Sequence, residues 1–140
     1  MHETMVIEKK LAVGANKAWA AIRAIGGLDR WFPIISACRV EGEGVGALRV
    51  LTLAGGGGEM RDRIVEISDA ARRLRYERPH LPFPVSDYRG AVEIRGDGAS
   101  CVLTWTVQFE VEPAKRDEVA GLVRSAISDG VDGMERELRG

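Results

Sequence analysis

From Cys101 to Val111 every second residue is apolar, and just beyond that stretch the period changes. Cys101, Leu103, Trp105, Val107, Phe109 and Val111 alternate with Val102, Thr104, Thr106, Gln108 and Glu110. That alternation predicts one strand with one buried face. Past Pro113, which suits a first helical position, Val119, Leu122, Val123, Ala126, Ile127, Val131, Met134 and Leu138 recur every three or four residues. They predict an amphipathic helix over 114–139, roughly 39 Å long at about 1.5 Å per residue. A helix of that length with one apolar face needs a broad apolar surface to cover, and the concave face of a sheet supplies it. Gly121, Gly130 and Gly133 cost this helix propensity. They either admit another element closely or leave space beneath the helix.

The rest of the chain predicts that sheet. Residues 4–13 read as a strand with Met5, Ile7, Leu11 and Val13 in one register. Asn16 suits an N-cap, and Ala18, Trp19, Ile22 and Ile25 follow at helical spacing until Gly26-Gly27. Leu28 to Phe32 form one more turn before Pro33. Turn signals then recur at Gly42-Glu43-Gly44, Gly55–Gly58, Ser68-Asp69-Ala70, Pro79–Pro84 and Gly96-Asp97-Gly98. Strands near 35–41, 47–54, 58–67, 72–78, 86–95 and 100–111 lie between them. Tight turns mean antiparallel pairing, because parallel strands need long crossovers. The expected fold is α+β: a curved seven-stranded antiparallel sheet wrapped around the long C-terminal helix, with two short helices after the first strand. Residues 1–140 fit one domain with one core.

Composition excludes several function classes. Apolar residues make up 45% and charged residues 29%, with a net charge of −1, so neither disorder nor a basic nucleic-acid footprint is expected. No apolar run reaches the ~20 residues of a membrane span. The N-terminus shows no signal peptide, and a cytoplasmic location is expected. Cys38 and Cys101 lack the companions of a metal site, and no metal or cofactor is expected. Gly55–Gly58 is not followed by Lys-Ser/Thr and reads as a hairpin turn rather than a phosphate loop. His80 reads as an exposed loop histidine. The Pro79–Pro84 segment is either a lid or a rigid strand connection.

Alternation also places three polar residues inward. Tyr88 shares a face with Gly90, Val92 and Ile94; Arg49 with Ala47, Leu51 and Leu53; Asp62 with Met60 and Ile64. Val65 and Ile67 take the opposite register, which a bulge near Ile64-Val65 reconciles. Charges among apolar neighbours must pair or face a cavity. Apolar walls with a few convergent polar groups are the usual form of a small-molecule site. The alternative is a structural ion pair at the sheet edge. Around such a site Trp31, Leu51, Met60, Tyr76, Phe83, Trp105, Ile127, Val131 and Met134 are the candidate ligand contacts.

Trp19, Trp31-Phe32-Pro33, Gly46-Ala47-Leu48-Arg49, Arg61-Asp62-Arg63, Leu74-Arg75-Tyr76, Tyr88 and Trp105 together resemble the polyketide cyclase/dehydrase branch of the SRPBCC, or START-like, superfamily of helix-grip proteins. The resemblance covers nearly the whole chain. It implies ligand binding, since the superfamily contains lipid carriers, hormone receptors, cyclases and dehydratases. The branch is also similar to plant lachrymatory-factor-synthase-like proteins, in which an Arg, an acidic residue and a Tyr line the catalytic pocket. By motif position these fall on Arg49, Asp62 and Tyr88. The relatives more often carry Glu at the acidic position, one methylene longer than Asp62.

Three functions are therefore expected, in this order. The first is binding of a small hydrophobic or aromatic oxygenated molecule between the sheet and the C-terminal helix. The second is cofactor-free proton-transfer chemistry, a cyclase, dehydratase or isomerase, with Asp62 as general acid/base and with Arg49 and Tyr88 stabilising an oxyanion. The third is a protein-interaction module. A homodimer is left open.

Overall fold

The computed structural model describes residues 1–96 and 98–140. Its strands are β1 (His2–Leu11), β2 (Ile35–Glu41), β3 (Leu48–Leu53), β4 (Glu59–Ser68), β5 (Arg73–His80), β6 (Val85–Arg95) and β7 (Cys101–Val111). Its helices are α1 (Ala15–Arg23), α2 (Leu28–Trp31) and α3 (Arg116–Arg139). The strands form one antiparallel sheet in the order β1-β7-β6-β5-β4-β3-β2. Chain neighbours from β2 to β7 pair through hairpins, and β1 returns to pair with β7 along its whole length. The expected turn Gly96-Asp97-Gly98 includes Asp97, which lies outside the described residues.

The predicted alternation holds. β7 buries Cys101, Leu103, Trp105, Val107, Phe109 and Val111 and leaves the intervening residues partly exposed. β4 buries Met60, Asp62 and Ile64, and its ladder with β5 shifts between Ile64 and Glu66, the bulge that the mixed pattern required. At the start of α1 the expectation fails. Gly14 is the N-cap, because Ala15 is already helical and buried. Asn16 lies inside the helix, and its Oδ1 accepts a hydrogen bond from Arg72 Nη2 at 2.8 Å.

Two of the three glycines in α3 admit close approach. A Cβ at Gly130 would overlap the Phe32 ring, and one at Gly133 would overlap the Trp31 carbonyl. A Cβ at Gly121 would meet nothing within 4 Å. Trp31 Nε1 also donates to Glu137 on α3 at 3.1 Å. Polar ties fix α3 to β1 as well: Lys9 Nζ donates to Asp132 at 2.6 Å and to the Ser128 carbonyl at 3.0 Å. Among the described residues no helix is long and apolar enough to cross a membrane.

Candidate functional site

Two irregularities in the sheet build the site. In the β4–β5 ladder Arg61 pairs with His80 and Arg63 with Glu77, so Asp62 faces both Arg78 and Pro79. Proline has no N–H to give a ladder, and a bulge is where a strand tolerates it. In the β6–β7 ladder Ser86 pairs with Glu110 and Arg89 with Gln108, so Asp87 and Tyr88 face Phe109 together. Asp87 takes the left-handed backbone, φ 53°, as the first residue of such a bulge can. Tyr88 is thereby aimed inward and stacks on Phe109, with centroids 5.9 Å apart.

The outcome is a polar row across four strands. Arg49 pairs with Asp62 in register, and Arg78 with Tyr88. Asp62 is 0% exposed and Arg49 3%. Asp62 Oδ2 accepts from Arg49 Nε at 3.0 Å and from Arg78 Nη2 at 3.2 Å, and Oδ1 accepts from Arg78 Nε at 2.6 Å. Arg49 Nη1 donates to the Ile25 carbonyl at 3.0 Å. Arg49 Nη2 lies 2.9 Å from Asp62 Oδ2 but is not aligned to donate, and among the described residues it makes no hydrogen bond. Ile25 itself has φ 71°, a costly backbone for a β-branched residue. The accepting carbonyl thus comes from a strained link between the two short helices.

Aromatic rings surround the cations. The Arg49 guanidinium lies 5.1 Å from the Tyr76 ring centroid. Arg78 lies between Tyr76, at 5.4 Å, and Tyr88, at 4.7 Å. Such faces stabilise a desolvated cation. Tyr76 has room because its cross-strand partner is Gly90, where any Cβ would overlap the phenol. Its hydroxyl accepts from Trp105 Nε1 at 3.1 Å, and Trp105 meets Phe32 edge-on at 5.7 Å.

The electrostatics follow from burial and neighbours. Burial pushes the Asp62 carboxyl up, but Arg78 and Arg49 together outweigh it and hold the group below the usual aspartate value. Burial raises both phenols, Tyr76 and Tyr88. Burial works against the charge on Arg78, and Asp62 together with the two phenols more than restores it. At neutral pH the row therefore holds two guanidinium cations, one carboxylate and two neutral phenols.

Sequence reasoning named Arg49, Asp62 and Tyr88, and the structure joins them through Arg78, which it missed. The signal was present: Arg78 is two residues beyond Tyr76 and four beyond Leu74, and both of these are buried. Leu51, Met60, Tyr76, Trp105, Ile127, Val131 and Met134 all lie in the buried core. Trp31 is buried where α2 crosses α3. Phe83 is 38% exposed on the β5–β6 loop.

Two concavities open to solvent stand out among the described residues. One, of about 610 Å³, lies at the β5–β6 hairpin end. Arg78 and Tyr88 contribute to it, with Leu81 and Val85 as apolar wall and His80 beside them. The other, of about 320 Å³, lies on the outer face of the sheet over Gly90, between Arg75, Arg89 and Gln108. The first reaches the polar row, so the outer member of the buried cluster is also the inner end of an accessible hollow. Among the described residues no group of His, Cys, Asp or Glu is placed to hold a metal ion.

Comparison with known proteins agrees with this architecture. A solution structure from Thermobifida fusca is 28% identical, with a TM-score of 0.84, covering 96% of this chain and 92% of that one. A crystal structure from Bacillus thuringiensis is 22% identical, with a TM-score of 0.81 and full coverage of both chains. Norcoclaurine synthase from Thalictrum flavum, in complex with dopamine and hydroxybenzaldehyde, is 18% identical, with a TM-score of 0.81, covering 99% of this chain and 87% of that one. No curated protein matches the sequence. The sequence profile described as polyketide cyclase / dehydrase and lipid transport runs along residues 3–139, and a match over so much of the chain makes this protein a member of that family.

Proposed function

We propose that the protein binds a small, largely apolar molecule carrying an oxygen function. The molecule enters at the β5–β6 end, in the hollow lined by Arg78, Leu81, Val85 and Tyr88. One observation carries this reading: the buried Arg49–Asp62 pair is joined through Arg78 to an open hollow with apolar walls, which Arg78 and Tyr88 help to line. A few polar groups at the end of an apolar concavity fix a ligand's orientation while its body supplies the buried area. The family description, with its mention of lipid transport, supports the same class of ligand. So does the small oxygenated aromatic pair bound in the norcoclaurine synthase structure.

Uptake of neutral 2-naphthol, followed by tryptophan fluorescence, tests the reading. Trp105 donates to Tyr76 beside the site and is the reporter. Saturable one-to-one binding is expected, weakened about tenfold or more by Val85→Arg at the mouth. Failure to take up this or any other apolar probe, together with an empty protein by native mass spectrometry, overturns it.

A second reading, cofactor-free catalysis, rests on Tyr88. A phenol kept protonated beside a guanidinium is a ready donor to a developing oxyanion. Asp62 is less suited to taking a proton, since both its oxygens accept from arginines. Once a substrate is known, turnover undiminished in Tyr88→Phe eliminates this reading.

A further inference from the structure

The polar row does not balance its own charge. Arg49 and Arg78 are two cations, and both pair with the one carboxylate of Asp62. The phenols of Tyr76 and Tyr88 are neutral and contribute no second anion. Among the described residues Asp62 is the one carboxylate within ion-pair distance of Arg78. Glu77 and Asp87 stand at the rim of the hollow, but both are exposed; Glu77 pairs with Arg63 at 3.1 Å, and the exposed Arg89 stands beside Asp87. Water screens rim charges and does not screen the buried row.

A buried excess charge is expensive unless something pairs with it. Two donor positions are free to do so. Arg49 Nη2 has no aligned acceptor. Arg78 bonds Asp62 through Nε and Nη2, and among the described residues its Nη1 has no partner. Arg78 is the cation that can be reached: its side chain is 10% exposed and belongs to the lining of the 610 Å³ hollow.

We propose that this hollow takes a singly charged anion, a carboxylate borne on an apolar body, seated on the free edge of Arg78 beside the Tyr88 hydroxyl. This rests on the ligand-binding reading above and adds the ligand's charge to it. A monoanion brings the row to neutrality with two positive and two negative charges. A neutral ligand leaves the excess cation in place, and a dianion such as a phosphate monoester reverses it. The Tyr88 phenol, still protonated, donates to the same oxygens, and Leu81 and Val85 take the apolar body.

The test uses three probes that share one ring system: 2-naphthoate, 2-naphthamide and 2-naphthyl phosphate. Each is titrated at pH 7.5 in 150 mM chloride, so that an ordinary small anion competes throughout. The carboxylate is expected to bind about tenfold or more tighter than the amide, the scale of one charge-assisted hydrogen bond, and tighter than the phosphate. The preference should collapse in Arg78→Gln and survive in Arg78→Lys. Comparison of the wild-type affinities alone decides the matter if Arg78→Gln does not fold. Equal binding of carboxylate and amide overturns the charge assignment and leaves the ligand-binding reading standing, as does tighter binding of the phosphate. Failure of all three to bind overturns both.

Discussion

Two parts of the interior are closed by opposite means. Where α2 crosses α3, shape does the work: Gly130 and Gly133 remove their own side chains so that the Phe32 ring and the Trp31 backbone can lie against the helix. Across β3 to β6, charge does it. Arg49, Asp62, Arg78 and Tyr88 occupy positions where their neighbours are apolar, and they hold one another through ion pairs and ring faces. At the helix seam no buried polar side chain among the described residues lacks a partner. The strand row is incomplete, with one cation more than it has anions. On the reading proposed above, that difference separates a surface built for fit from one built to receive a ligand.

The sharpest way to break the contrast is Asp62→Asn. It leaves two guanidiniums in the row with no counter-charge, and removal of one partner from a buried pair typically costs about 3–5 kcal/mol. Denaturant unfolding measures it. The pH dependence carries a sign. Because the folded carboxyl sits below its unfolded value, its contribution is full above the ordinary aspartate range near pH 4. It is lost as pH falls through the lower folded value. The gap in stability between wild type and Asp62→Asn should therefore narrow in acid. A gap constant from pH 7 to pH 2 would show that the ion pairs contribute nothing.

The seam breaks more gently and without regard to pH. Gly133→Ala sets a methyl against the Trp31 carbonyl, where backbone must move, and overpacking of this sort costs about 1–3 kcal/mol. Gly130→Ala meets the Phe32 ring and belongs in the same range. Their loss should be equal at pH 7 and pH 5. The smallest expected effect has the opposite sign. Gly121 has open space where its side chain would be, so Gly121→Ala should stabilise α3 by about 0.5–1 kcal/mol, the ordinary helix preference of alanine over glycine. A destabilised Gly121→Ala would mean that this turn of the helix is covered by something else.

The two regions also differed in how far the sequence revealed them. The strands were legible because an alternating pattern with one buried face admits one register, and β4 even betrayed its bulge at Val65. The inward turn of Arg49, Asp62 and Tyr88 followed from the same alternation. Their linkage did not, because Arg78 becomes Asp62's partner only through the break that Pro79 imposes on the ladder, which is a matter of pairing between strands. The glycines of α3 were visible, but composition cannot say whether a missing side chain makes room or leaves a void. That depends on Trp31 and Phe32, a hundred residues away. Asn16 misled for a local reason: a good capping residue stood one place inside a helix that Gly14 and buried Ala15 had already begun.

The pairing of β1 with β7 has a consequence for synthesis. Leu11 lies opposite Cys101 and His2 opposite Glu110, so β1 is made about a hundred residues before the strand it pairs with. At translation speeds of about 5–20 residues per second, a hundred residues take roughly 5–20 s. Throughout that interval Met5, Ile7 and Leu11 lack the strand they pair with, and the nascent chain must be carried through it with an unpaired apolar strand.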